Sequence, residues 1–154
     1  MGAAGLAPMF WRSFLLQACW NDEGMQNIGF AFAIDPWLRR LYAEGGPLRA
    51  ARQRHLAFFN TQPYMAGYVL GVAARLEEQA AAGGAESGAA LARIASLKSA
   101  MGSALAGIGD GLFWGALKPL AAVLAVAVSL AARLVGARLD EAAVLGAAVY
   151  LGVF

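Results

Sequence analysis

The chain has 154 residues, few enough for one domain, and 60% of them are hydrophobic while only 14% are charged, against about 25% charged in soluble domains. With a mean hydropathy of +0.56 and 19 glycines, the composition points to a membrane protein whose small residues let helices pack closely. A net charge of +2 gives no nucleic-acid signal; the single cysteine, Cys19, excludes an intrachain disulfide, and the single histidine leaves no Cys/His zinc pattern.

Met1 to Pro8 is apolar but lacks a basic region and a long apolar core, so no cleaved signal peptide is expected. Residues 9–21, aromatic and interrupted by Arg12, suit an interfacial helix, because Trp and Arg favour the headgroup level. Asn21-Asp22-Glu23-Gly24 is a polar break in which Asn21 or Asp22 offers a cap to the next helix. Met25 to Ile34 is apolar again, and Asp35-Pro36 ends that piece or begins another. Arg39, Arg40, Arg49, Arg52 and Arg54 follow, offset within their stretch only by Glu44. The positive-inside rule makes Arg39–His55 the expected cytoplasmic segment; a solvated amphipathic helix is the plain alternative.

Leu56 to Ala74 carries no charge and approaches the length of a bilayer crossing. Asn60-Thr61-Gln62-Pro63 breaks it, since Pro63 has no N–H and clashes with the preceding turn. Residues 56–79 are therefore read as a broken helix, of the kind that lines a cavity. A soluble helix capped at Asn60 or Thr61, with Pro63 just inside, is the competing reading. Ala80 to Ala90 is a loop.

Ser99, Ser103, Gly107, Gly111 and Gly115 then recur at steps of four, a surface for close helix approach within the chain or on a partner. Gly109-Asp110-Gly111 favours a turn, so residues 99–132 read as a re-entrant arm followed by a span; one continuous helix is the alternative. Leu112 to Ala132 holds one charge, Lys118, near its start, and is the strongest spanning segment. Ala142 to Phe154 is too short for an untilted span.

No catalytic constellation stands out, and no cofactor or metal is expected. His55 sits between arginines and an apolar run, which fits an interfacial structural position. Glu77 and Glu78 are adjacent, so they diverge on a helix and suit a solvated helix end. Gly107-Ile108-Gly109-Asp110-Gly111 lacks the Lys-Ser/Thr of a phosphate loop. The polar groups at the breaks are Gln26, Asn27, Asn60, Thr61, Gln62 and Asp110. Neutral amides supply both donors and acceptors, which suits an uncharged, hydroxyl-rich ligand. Trp20 and Trp114 offer faces for a pyranose ring or anchors at the membrane interface. The expected substrate contacts are Asn60, Gln62, Gln26, Asn27, Asp110 and Trp20.

Four ordered blocks carry a family resemblance. They are Arg12-Ser13-Phe14 with Trp20-Asn21 and Met25-Gln26-Asn27-Ile28-Gly29-Phe30; Arg54-His55-Leu56-Ala57-Phe58-Phe59-Asn60-Thr61-Gln62-Pro63; Leu76-Glu77-Glu78-Gln79; and Leu105-Ala106-Gly107-Ile108-Gly109-Asp110 with Phe113-Trp114-Gly115. Over roughly residues 10 to 132 the chain resembles the IID component of the mannose/fructose/sorbose-type bacterial phosphotransferase system. Gly111 stands where Pro or Ser is common in that family, and Gly24 where a longer polar residue is.

The resemblance implies an all-α, polytopic protein of the inner membrane, with residues 1–154 one membrane domain resembling the N-terminal half of a IID subunit. It implies a hetero-oligomer with a IIC subunit, importing a hexose through the bilayer while cytoplasmic IIA and IIB carry the phosphate. A transport role, not an enzymatic one, follows. Family members run nearly twice as long, so the expectation is a truncated or minimal variant, or an incomplete coding sequence. The alternative function is a non-transporting membrane interaction protein that binds IIC or a regulator.

Overall fold

A computed structural model describes residues 5–83 and 87–153. The described residues are helical, with two isolated bridges, Asn21 to Met25 and Met25 to Phe59, as their extended pairing. The chain divides into two compact units, Met1–Gly107 and Ile108–Phe154.

The first unit holds α1 (Leu6–Ser13), α2 (Asn27–Leu41), α3 (Gly46–His55), a 3-10 turn (Pro63–Met65), α4 (Ala66–Ala81) and most of α5 (Ser87–Gly109). Its core is built on the helical period. Phe30, Ala33, Ile34, Trp37 and Leu38 form one face of α2, and Ala66, Val69, Leu70, Ala73 and Ala74 one face of α4. Leu48 and Ala51 of α3 close the core, with Met9, Leu16 and Phe59. Burying each large apolar side chain contributes about 1.5–3 kcal/mol. The Trp37 indole N–H donates to the Ala74 carbonyl at 3.1 Å, tying α2 to α4. Gly29 is needed where α2 meets the preceding segment: a Cβ there would collide with the Leu16 carbonyl.

Two expectations about this unit change. Asp35-Pro36 does not end α2, which continues to Leu41 with Pro36 inside it. Pro36 has no N–H for the Phe32 carbonyl, and Arg12 takes that role, its Nη1 donating to Phe32 O at 3.2 Å. The interfacial helix expected over 9–21 is shorter. Helix α1 ends at Ser13 and gives way to turns. Arg12 folds inward, while Phe10, Trp11, Phe14 and Leu15 are exposed.

In the second unit the backbone is helical through Gly109-Asp110-Gly111, so the turn expected there, on which the re-entrant reading rested, is not formed. Asp110–Leu117 is instead a π-helix. Its wide step is seen where the Lys118 N–H bonds the Phe113 carbonyl, just before Pro119, which has no N–H to donate. Helix α6 (Lys118–Leu134) turns at Gly136, φ +94°, into α7 (Leu139–Gly152). Gly146 lets these two helices touch, since a Cβ there would meet the Ala125 carbonyl and the Ser129 hydroxyl. Ser129 Oγ donates to the Ala142 carbonyl at 2.9 Å. Much of the surface along these two helices is apolar: Val123, Val126, Leu130, Val144 and Leu151 are all exposed. Among the described residues one helical run, Ser87–Leu134, is long and apolar enough to cross a membrane, with a mean hydropathy of 1.9 in its most apolar window.

Candidate functional site

The residues that separate α3 from α4 form a loop, Leu56 to Gln62, held from several sides. Helix α3 ends at His55, so Leu56–Phe59 is not helical and the break at Asn60-Thr61-Gln62-Pro63 is wider than a kink. The clamp comes from the turn before α2. Gln26 is buried, and its amide pairs both backbone groups of Thr61: Nε2 donates to the carbonyl at 2.8 Å and Oε1 accepts from the N–H at 3.0 Å. The Gln26 N–H donates to the Phe59 carbonyl at 2.9 Å. Asn27 Nδ2 donates to the Leu56 carbonyl at 2.7 Å, and Asn27 Oδ1 accepts from Asn21 Nδ2 at 3.2 Å. Asn21 Oδ1 in turn accepts from the Gly24 N–H at 2.8 Å, closing a tight turn through Met25, φ +55°. Two segments far apart in sequence are thus joined by amide side chains acting as substitute backbone.

From the other side comes α5. Gly102 lies under the loop; a Cβ there would stand 3.0 Å from the Asn60 carbonyl. The buried Lys98 ammonium donates to the carbonyls of His55 at 2.8 Å and Ala57 at 3.3 Å, and sits 4.5 Å from the Phe30 ring centroid. It thereby caps the C-terminal end of α3, where a cation is favoured.

Below the loop is a buried ionic cluster on Glu77. Its carboxylate accepts from Tyr42 Oη at 2.6 Å, Arg54 Nε at 2.8 Å and Nη2 at 3.2 Å, and His55 Nε2 at 2.8 Å. Burial alone would raise the Glu77 carboxyl, but the bonds from His55, Arg54 and Tyr42 override it and hold it at about 2. Burial also lowers His55, more than Glu77 raises it, so the ring is neutral at pH 7 and donates Nε2–H. His55 Nδ1 is then a buried acceptor with no hydrogen-bond partner among the described residues; the Thr61 hydroxyl and the Gln62 Nε2 donor are likewise buried without one. Burial, with the Glu77 carboxylate, pushes the Tyr42 phenol up to about 12.

The expected contact residues part company here. Gln26, Asn27, Asn60 and Gln62 gather at the loop, but Gln26 and Asn27 spend their amides on the fold. Gln62 is buried, with Oε1 accepting from the Tyr64 N–H at 2.7 Å and Nε2 uncommitted. Asn60 is exposed. Trp20 is exposed in the preceding turn, and Asp110 is exposed on the π-helix of the second unit. Trp114 holds the chain's own Lys118 ammonium 3.4 Å from its ring centroid. His55 is fully buried within the chain, and Glu77 is buried too, not a solvated helix end. Sequence reasoning missed Glu77, although it falls on the stripe Ala66, Leu70, Ala73, Glu77, Ala80 that α4 buries. Lys98 likewise follows Ala90 and Ile94 on the buried side of α5. Among the described residues, a Cβ at Gly107 or Gly111 of the small-residue ladder would meet open space, and the glycine that meets the loop is Gly102, off the ladder.

Comparison with known proteins places these features in a family. The model for "PTS system mannose/fructose/sorbose family IID component" matches residues 3–153. The mannose-specific EIID component of Escherichia coli K12 is 43% identical over 129 residues, 83% of this chain and 44% of that protein. The sorbose-specific EIID component of Klebsiella pneumoniae is 40% identical over 131 residues, and the fructose permease IID component of Bacillus subtilis 34% over 128. The chain spans about half the length of these relatives. Among solved structures, one of the mannose transporter ManYZ in complex with microcin E492 superposes with a TM-score of 0.77 at 37% identity, covering 99% of this chain and 56% of that one. The chain belongs to the IID components of the mannose/fructose/sorbose family of phosphotransferase systems.

Proposed function

We propose that this chain serves as the IID membrane subunit of a mannose-family sugar phosphotransferase system. With a IIC subunit it forms the permease that imports a hexose, and IIA and IIB supply the phosphate. The single observation that carries this reading is the match to a chain of the mannose transporter structure over 99% of the present sequence. Phosphoryl transfer belongs to the partners: the chain's one histidine, His55, is closed off beneath the loop. In this reading the protein crosses the inner membrane more than once, with Arg39–Arg54 on the cytoplasmic side. The exposed ladder of Ser103, Gly107 and Gly115 meets a helix of IIC. The clamped loop presents the exposed Asn60 to the sugar pathway, with the unpartnered Nε2 of Gln62 buried behind it.

The test is hexose uptake by a strain that carries IIA, IIB and IIC of this system and lacks its own IID. Restored uptake supports the proposal. If the chain co-purifies with IIC but uptake stays at background, it is an interaction protein and the transport reading falls.

A further inference from the structure

A second charged cluster lies in the first unit, on the side of α2 that carries Asp35. Asp35 receives Arg39 Nε at 2.8 Å and Arg52 Nε at 2.7 Å, and Arg12 stands 3.7 Å away. Burial opposes ionisation of this carboxyl, but Arg52 and Arg39 keep it below the usual carboxylate range. Three guanidinium charges thus surround one carboxylate. Each of Arg39 and Arg52 is fixed through Nε alone, and the Nη groups of both have no hydrogen-bond partner among the described residues. Asp35 therefore orients two forks and leaves their outer N–H groups presented, 56% of the Arg39 side chain being accessible.

These forks end a groove of about 390 Å³ whose opposite wall is apolar, made by Ile28, Phe32 and Leu56. All three are exposed. Ile28, Phe32, Asp35 and Arg39 follow one stripe along α2, so the apolar and cationic halves lie in series. A cationic fork next to an exposed apolar wall is complementary to a phosphate that carries a hydrocarbon chain. An acidic peptide would satisfy the forks and leave the wall wet; free phosphate would do the same. We propose that this groove binds an anionic phospholipid, with the phosphodiester on the Nη groups of Arg39 and Arg52 and an acyl chain along Phe32, Ile28 and Leu56. The site meets the clamped loop only at its first residue, Leu56, and does not depend on the transport reading.

The experiment is the melting of the full chain, purified in an uncharged detergent, with added phosphatidylglycerol, phosphatidylcholine, inorganic phosphate or oligo-glutamate. Phosphatidylglycerol is expected to raise Tm by about 5 °C, and the other three to change it by less than a third of that. Arg39→Gln is expected to abolish the selective rise, and Arg49→Gln, an equal loss of charge on an exposed position of α3, to keep it. Leu56→Glu, which puts an anion on the apolar wall, supplies an independent variant should Arg39→Gln melt too low to read; it too should lose the rise. Equal stabilisation by phosphatidylcholine, by phosphate or by oligo-glutamate overturns the proposal. So does a selective rise that survives both Arg39→Gln and Leu56→Glu.

Discussion

Replacing Glu77 by Gln tests whether the buried ionic cluster holds the first unit together. The change keeps size and shape and removes one charge. In the native protein the carboxylate accepts from Tyr42, Arg54 and His55, every shortest contact lying between 2.6 and 2.8 Å. Hydrogen bonds to a charged group contribute about 1.5–3 kcal/mol each, and breaking one side of a buried ion pair costs about 3–5 kcal/mol. Gln retains one acceptor, but its NH2 confronts the donors of Arg54, so a loss of about 3 kcal/mol is expected. For a unit of this size that corresponds to a fall in Tm of about 15 °C, read from near-UV circular dichroism of the purified chain.

The pH dependence gives a second reading of the same cluster. Glu77 is depressed from 4.5 to about 2 in the fold, so its contribution is present above pH 4.5 and is lost as pH falls toward 2. His55 is also lowered from 6.5. The unfolded chain binds its proton first, and stability declines as pH drops below 6.5. Both effects run in the same direction, toward acid lability. Glu77→Gln should erase the part of the decline below pH 4.5 and leave the His55 part. A variant that melts within about 2 °C of the parent at pH 7, far below the expected shift, or that keeps the full acid decline, would refute the argument.

Two further predictions concern how the loop and α2 are built. Gln26→Leu removes both bonds to Thr61 and leaves its backbone groups unpaired, at a cost of about 1–3 kcal/mol; faster protease cleavage between Leu56 and Gln62 should accompany the loss, and unchanged cleavage would show that the clamp is dispensable. Arg12→Ala should cost about 1 kcal/mol by freeing the Phe32 carbonyl and weakening the hold on Asp35. In a Pro36→Ala background, where an N–H again reaches that carbonyl, the same change should cost measurably less; equal costs in both backgrounds would separate Arg12 from the proline.

Much of this was legible from residue order. The uncharged segment broken at Asn60-Thr61-Gln62-Pro63 does mark the central loop, because a proline and three polar side chains cannot continue a buried helix. The amides Gln26 and Asn27 stand out in residue order at a polar break, but their use as backbone clamps is not readable there. Whether an amide serves a ligand or a neighbouring backbone depends on a partner 35 residues away, as in the pairing of Gln26 with Thr61, and no local pattern reports it. The same holds for Asp35-Pro36, which lies inside α2 and does not end it. A proline ends a helix unless another donor reaches the stranded carbonyl, and here the donor lies 20 residues upstream. Gly109-Asp110-Gly111 reads as a turn by its composition, yet helix runs through it, α5 passing after Gly109 into a π-helix whose wide step tolerates a missing N–H at Pro119.

The arginine-rich stretch shows how a composition rule and a structure divide the same residues. Positive-inside counting treats Arg39, Arg40, Arg49, Arg52 and Arg54 as equivalent charges. Arg54 is spent on Glu77, while Arg39 and Arg52 share Asp35, two acids that lie outside the stretch. Arg40 lies over the Trp37 ring, 5.7 Å from its centroid, and Arg49 is exposed on α3. Acids contribute little to the positive-inside count, so pairing removes none of the five from it, and what the structure distinguishes is their second role. Arg39→Gln should therefore weaken both lipid selectivity and the topological bias, whereas Arg54→Gln should weaken the bias and destabilise the fold while leaving lipid selectivity unchanged. A cysteine at Gly46, which has open space around it, reads the topology in a Cys19-free background. It should resist a membrane-impermeant thiol reagent in intact cells, and ready labelling from outside would reverse the orientation.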